Sequence, residues 1–247
     1  MARLPRKSSQ SGVYHIMLRG VNRQRIFEES ADYQQFLYYL LDIKNSSGFK
    51  LLAYCLMNNH VHLLIKEDSG SLSLIFKNLG TRYASWFNKK YDRCGHLFQD
   101  RFKSIPVESD AYFIQVLIYI YQNPVKDGFC AQSQDYRWSS RKLLGTGRII
   151  DENELFSIVP CSSILEKELF EHVVELPKQK TGRKLVISDD EVFFRMKRLS
   201  DTKNTSEFQM LDSEAQAEVF RALRGHGVSI RQFARVSGLG RGLVQSW

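Results

Sequence analysis

Two strand-length apolar runs, FKLLAYCLM (Phe49–Met57) and HVHLLIKE (His60–Glu67), are separated by only Asn58 and Asn59. An asparagine pair between such runs predicts a tight β-hairpin, because asparagine tolerates the backbone angles that a two-residue turn demands. A hairpin commits this part of the chain to an antiparallel sheet, whose apolar face must then be covered. VYHIMLRG (Val13–Gly20) alternates apolar and polar residues and predicts another strand; SIPVE (Ser104–Glu108) predicts a short one. Helices are expected from Ser30, whose hydroxyl can cap DYQQFLYYLLDIKNS, and over Ser71–Tyr91. A third, strongly apolar helix is expected over Ser109–Asn123, capped by Ser109 or Asp110 and stopped at Asn123 by Pro124. The order strand, helix, strand, strand, helix, strand, helix predicts an α+β fold, a ferredoxin-like antiparallel sheet with helices on one face.

Composition narrows the function classes. The 247 residues carry a formal net charge of +8, unevenly placed. Residues 1–150 hold 21 Lys and Arg against 12 Asp and Glu, a net of +9; residues 151–247 hold 14 against 15, a net of −1. A basic excess confined to one module suits a polyanion partner. The basic N-terminus lacks the apolar stretch of a secretory signal, and no apolar run approaches a membrane span. Cys55, Cys94, Cys130 and Cys161 form no CxxC pair, which argues against a thiolate zinc site and fits a reducing cytoplasm.

Chemistry-bearing residues gather in three places. His60 and His62 are one residue apart in a predicted strand, so both imidazoles project to one face and make half a metal site. Tyr119 and Asn123 are four apart on the third helix and share one of its faces; Tyr121 points about 200° around the same helix. If that face packs over the hairpin, the Asn123 amide oxygen can complete the metal site with the Tyr119 phenol beside it. Taken singly, a tyrosine in an apolar helix packs a core, and an asparagine before proline ends a helix. The third place is RYASWFNKKYDRCGHLFQDRFK (Arg82–Lys103), with six Lys and Arg, six aromatics and two acids. Interleaved cations and rings suit single-stranded nucleic acid, phosphates meeting charge and unstacked bases meeting rings.

Four segments in order carry a family resemblance: YHIMLRGVNRQRIF, AYCLMNNHVHLLI, RYASWFNKKYDRCGHLFQDRFKS and YIYQNPVKDGF. Together, over about residues 8–145, they resemble the single-tyrosine HUH transposases, and within these the REP-associated tyrosine transposases. One departure stands out: the family usually has proline where this chain has Asn58. The resemblance implies metal-dependent nicking and rejoining of single-stranded DNA. Tyr119 would be the nucleophile forming a 5′-phosphotyrosine, and His60, His62 and Asn123 the ligands of Mg²⁺ or Mn²⁺. The cations within these motifs, Arg19, Arg23, Arg82, Lys89, Lys90, Arg93, Arg101, Lys103 and Lys126, become candidate DNA contacts, with a hairpin or repeat-end sequence as the implied partner. The family includes dimers that exchange a catalytic helix, so monomer and homodimer both remain open.

Beyond this catalytic domain (residues 1–147), residues 148–207 read as a charged linker or helical region in which TGRK (Thr181–Lys184) looks like a linker. The tail, 208–247, is helical again. Its last part, SIRQFARVSGLGRGLVQSW (Ser229–Trp247), reads as a capped helix, a turn at Gly238 and the start of a second helix. It resembles a helix-turn-helix, an accessory DNA-binding element. Two other functions compete with the nickase: a non-catalytic DNA-binding regulator of repeat or hairpin sequences, and a metal-dependent hydrolase that uses bound water and never traps protein on DNA.

Overall fold

The structure, a computed structural model, describes residues 7–69, 71–146, 148–159 and 187–247. Four strands, β1 (Val13–Arg19), β2 (Lys50–Leu56), β3 (His60–Lys66) and β4 (Lys103–Pro106), form one antiparallel sheet in the order β2-β3-β1-β4. The hairpin closes through Asn58 and Asn59, with the Met57 N–H on the His60 carbonyl at 2.8 Å. Asn58, where the family has proline, is itself buried. Its carbonyl accepts from the N–H groups of Ile26 and Phe27 at 2.8 and 3.2 Å, so the turn is held by tertiary bonds rather than by a ring.

Strand alternation gives the sheet two different faces. Val61, Leu63 and Ile65 of β3 and Ile16 and Leu18 of β1 are buried apolar residues on one of them. Helices α1 (Ser30–Ser47) and α2 (Leu72–Lys90) pack together there; the Tyr83 hydroxyl of α2 donates to the Ile26 carbonyl. His60, His62 and Leu64 project from the other face, and α3 (Asp110–Lys126) lies against it, with Tyr119 touching His15 and His62. The α+β class and the antiparallel sheet are as expected. The helices, however, are divided between the two faces, because the imidazole-bearing face is also lined by Leu64, Cys55 and Ala53 and has to be covered.

Two helix ends differ from expectation. Ser30 is the first residue inside α1, and Glu29 is the cap; the Asp32 carboxylate accepts from the Glu28 and Glu29 N–H groups at 2.7 and 3.1 Å. Pro124 does not stop α3, which runs on to Lys126. Proline this close to a helix end removes a single bond, and the final turn closes through the Asp127 N–H on the Asn123 carbonyl at 3.0 Å. At the other end Ser109 caps α3 as expected, its hydroxyl accepting from the Tyr112 N–H.

The hydrophobic cores divide the chain differently from the expected boundaries at 147 and 208. The first core takes in Ile150 and also Leu155 and Val159 of α4 (Glu152–Ile158) and its C-cap, because Asp151 bonds Leu51 at the β2 edge in both directions. That edge is further covered by the Leu56 N–H bond to Trp138 and the Tyr54 N–H bond to Ser140. The second core joins α5 (Asp189–Ser200), α6 (Thr205–Met210), α7 (Ser213–Gly225), α8 (Ile230–Ser237) and α9 (Arg241–Gln245) around Phe208, Phe220 and Phe233. Residues 148–207, expected as a charged linker or helical region, thus supply Val192, Phe193 and Met196 to it from α5. The TGRK segment and Cys161 lie outside the described residues. No helix among the described residues is long and apolar enough to cross a membrane.

Candidate active site

Register places the site at one end of the sheet. His60 is paired with Arg19, and His62 with Met17; Met17 is also paired with Lys103 on its other side. Alternation on β1 puts His15 and Arg19 on the imidazole face with Met17. The result is a row of three imidazoles: His15 and His62 stack with ring centroids 5.1 Å apart, and His60 meets His62 edge to face at 4.9 Å. Helix α3 crosses above them. Tyr119 approaches His62 edge-on at 5.3 Å and His15 at 5.8 Å, yet its side chain stays 40% exposed, so the phenol is open to a large substrate.

The hydrogen bonds decide which imidazole nitrogens are free. His60 Nδ1 pairs with the Asn59 side-chain oxygen at 2.6 Å, and His62 Nδ1 pairs with His15 Nε2 at 2.9 Å. Each of the two motif histidines therefore has its Nδ1 engaged. Asn123 sits one turn beyond Tyr119; its amide N–H donates to the Tyr119 carbonyl at 2.7 Å, and its side chain also hydrogen-bonds His60. All three imidazoles are held in the neutral form. Burial, then Arg19, pushes His60 down to about 4, against the Asn123 bond. Burial, then Lys103, pushes His15 to about 4. Burial and the neighbouring His60, His15 and Arg19 push His62 well below the usual histidine range. A neutral imidazole keeps a lone pair on one ring nitrogen and is the form that binds a cation.

Two imidazoles and a carboxamide thus converge, while among the described residues no three His, Cys, Asp or Glu side chains form a metal cluster. That donor set fits a divalent ion by chemistry, and the Nδ1 partners Asn59 and His15 orient the rings as outer-shell groups do. Sequence reading missed His15. The signal was present, since His15 occupies the same strand alternation as Arg19 in VYHIMLRG, but its pairing with β3 was not legible.

The two tyrosines of α3 differ in burial. Tyr121 is fully buried with its hydroxyl 3.3 Å from Ser140 Oγ, and burial pushes its phenol above the usual range. Of the candidate DNA contacts, Arg19, Lys103 and Lys126 surround the site; the Lys126 ammonium lies 5.0 Å from the Tyr119 ring centroid. Arg23 lies on the connection after β1 and Arg101 beside the groove under α2, both exposed. Arg82 is ion-paired with Asp42 and Lys90 with Glu29 and Asp32, on the α1–α2 side, away from the imidazoles. Lys89 is exposed at the end of α2, and Arg93 donates to Gln24 at 3.0 Å.

Similarity to known proteins falls on the same part of the chain. A curated Haemophilus influenzae protein named as a REP-associated tyrosine transposase is 31% identical over 104 residues, which are 37% of this chain and 58% of that protein. The chain therefore spans under two thirds of that relative's length. A solved structure of a REP-associated tyrosine transposase bound to a REP hairpin superposes with a TM-score of 0.48 at 20% identity, over 57% of this chain and 82% of the other. A transposase structure from Deinococcus radiodurans gives a TM-score of 0.35 at 19% identity, covering 48% and 95%. Residues 8–123, which hold the four strands, α1, α2 and α3 as far as Asn123, match the family of IS200-like transposases.

Proposed function

We propose that this protein nicks and rejoins single-stranded DNA through a covalent 5′-phosphotyrosine at Tyr119. The observation that carries the reading is the placement of an exposed phenol against His62 of the same chain, one helical turn from the Asn123 amide that bonds His60. His60 and His62, through one ring nitrogen each, and Asn123, through its amide oxygen, would hold Mg²⁺ or Mn²⁺. When bound there, the ion supplies charge neutralisation at the scissile phosphate and at the departing 3′-oxygen.

The chain's own groups account for the rest. Arg19 and Lys126 stand beside the phenol and Lys103 beside His15, a concentration of positive charge that draws a phosphodiester to the site. The Tyr119 oxygen attacks phosphorus and loses its proton; the phosphorus–oxygen bond to the 3′-oxygen breaks, and that oxygen gains a proton. The new phosphotyrosine is a diester like the bond it replaces, so a 3′-hydroxyl can reverse the step and join strands. A hairpin or repeat-end sequence is the proposed substrate.

The test is incubation of the full chain with a single-stranded hairpin oligonucleotide and Mg²⁺ or Mn²⁺, scored for a denaturation-resistant protein–DNA adduct. Tyr119→Phe should abolish the adduct and leave DNA affinity within about fivefold, since a hydroxyl contributes only about 1 kcal/mol to an ordinary contact. Tyr121→Phe should still form it. Adducts that persist in Tyr119→Phe would remove Tyr119 from the mechanism. DNA binding without adducts in any divalent metal would make the protein a regulator, and free 5′-phosphates without adducts would make it a hydrolase.

A further inference from the structure

The second core does not hang free of the sheet. Its helix-turn-helix, α8 and α9, is seated on the connection that follows β1. Gly238, in the turn between the two helices at φ +71°, lies so close that an added Cβ would stand 3.0 Å from Gln24 Cβ. On the other side of the same connection Arg25 pairs with Asp190 and stacks 3.9 Å over the Phe193 ring. Between the helix-turn-helix and the β1 connection is an open cleft of about 560 Å³, walled by Arg23 and Asn22 on one side and by Arg231, Arg235 and Arg241 on the other.

Four guanidiniums in one cleft repel one another and have to be offset by something negative. Among the described residues Arg235 is the arginine with an ion pair there, to the Asp189 carboxylate, Nη2 to Oδ1 at 2.6 Å, and Asp127 acts on it from further off. Arg23, Arg231 and Arg241 are exposed and have no ion pair among the described residues. Asn22 and Arg23 both take positive φ, 51° and 63°, a costly conformation for residues with a Cβ and one that holds the connection against the helices. Arg19 lies within electrostatic reach of Arg23 and Arg235 of the cleft, of Asp127, and of Tyr119.

We propose that this cleft binds the sugar–phosphate backbone of the same DNA strand whose phosphate lies at Tyr119, so that the C-terminal helices and the sheet grip one DNA together. This rests on the nickase reading for the position of the cut, but the cleft's own ligand is the phosphodiester chain. The C-terminal helices are then part of a composite DNA site, continuous through Arg19, rather than a tethered second reader. Guanidiniums suit this ligand because each can meet a phosphate with paired N–H groups.

The experiment uses the full chain, a labelled single-stranded oligonucleotide long enough to span both parts, and Arg231→Gln with Arg241→Gln in one protein. Both side chains are exposed and have no ion pair among the described residues, so thermal unfolding should match the wild type. Binding is followed by fluorescence anisotropy over a salt series, and adduct formation by denaturing gel. Two lost phosphate contacts should flatten the dependence of log affinity on log salt by about 1.4 and weaken binding on the order of 10-fold at about 0.1 M salt. An unchanged slope and affinity overturns the proposal. So does weakened binding of inorganic phosphate, read by calorimetry, when oligonucleotide binding is unchanged, because the cleft would then be an anion site off the DNA path. The two readings fail separately: a wild type that binds with the expected salt response but forms no adduct sinks the nickase and keeps the cleft, whereas normal adducts with an unchanged slope do the reverse.

Discussion

At the scale of single residues, the site depends on which nitrogen each imidazole leaves free. His15 is the residue whose role could be read only from contacts. It engages His62 Nδ1 at 2.9 Å, and in the proposed reaction it would act as a positioning residue. His15→Leu removes the partner that fixes the His62 ring and also relieves a buried polar group, so the fold should hold. Affinity for Mn²⁺, measured by calorimetry, should fall by about 10- to 100-fold, the usual cost of losing an outer-shell partner of a ligating histidine. Unaltered Mn²⁺ affinity would show that His62 orients itself. His60, His62, Tyr119 and Asn123 were all legible as candidates from spacing, since periods of two on a strand and four on a helix fix which side chains share a face. Helical spacing also set Tyr119 on the Asn123 face and Tyr121 about 200° away; in the structure Tyr121 is sealed in the core and Tyr119 left open.

At the scale of elements, α3 is the working part, because it carries both the phenol and the amide across a sheet face it must also cover. Its start is set by the Ser109 hydroxyl on the Tyr112 N–H. Ser109→Ala should cost about 1 kcal/mol of stability, read from urea unfolding, with adduct formation preserved once the protein is folded. A loss under about 0.3 kcal/mol would mean that tertiary packing alone fixes the helix start. The existence of α1, α2, α3 and the hairpin was plain from apolar periodicity and from Asn58–Asn59. Their ends were less so. Glu29 rather than Ser30 caps α1 because the Asp32 carboxylate reaches back to the two N–H groups before it, and α3 outruns Pro124 because one missing donor near a helix end is tolerated.

At the scale of the whole molecule, the two cores are joined through a small set of contacts around the β1–α1 connection. Gly238 is the most exposed to test, since its φ of +71° disfavours any Cβ and the added atom would also meet Gln209 Nε2 at 2.3 Å. Gly238→Ala should cost on the order of 1–2 kcal/mol from the left-handed conformation alone. It should also loosen the helix-turn-helix from Gln24, seen as faster limited proteolysis of the C-terminal helices. Wild-type proteolysis and stability would show that the turn can relax without leaving its seat.

The sequence by itself determined the elements that local physics governs: the hairpin, the amphipathic helices, the Ser109 cap, the common face of His60 and His62, and the glycine turn before α9. These follow from alternation, periodicity and turn chemistry within a few residues. Only the tertiary structure decided what long-range packing governs: α3 on the imidazole face opposite α1 and α2, His15 behind His62, Arg82 and Lys90 spent on ion pairs, and four arginines meeting across a cleft. Those residues are brought together from positions as far apart as 23 and 241, and no local pattern encodes which distant surfaces will be neighbours.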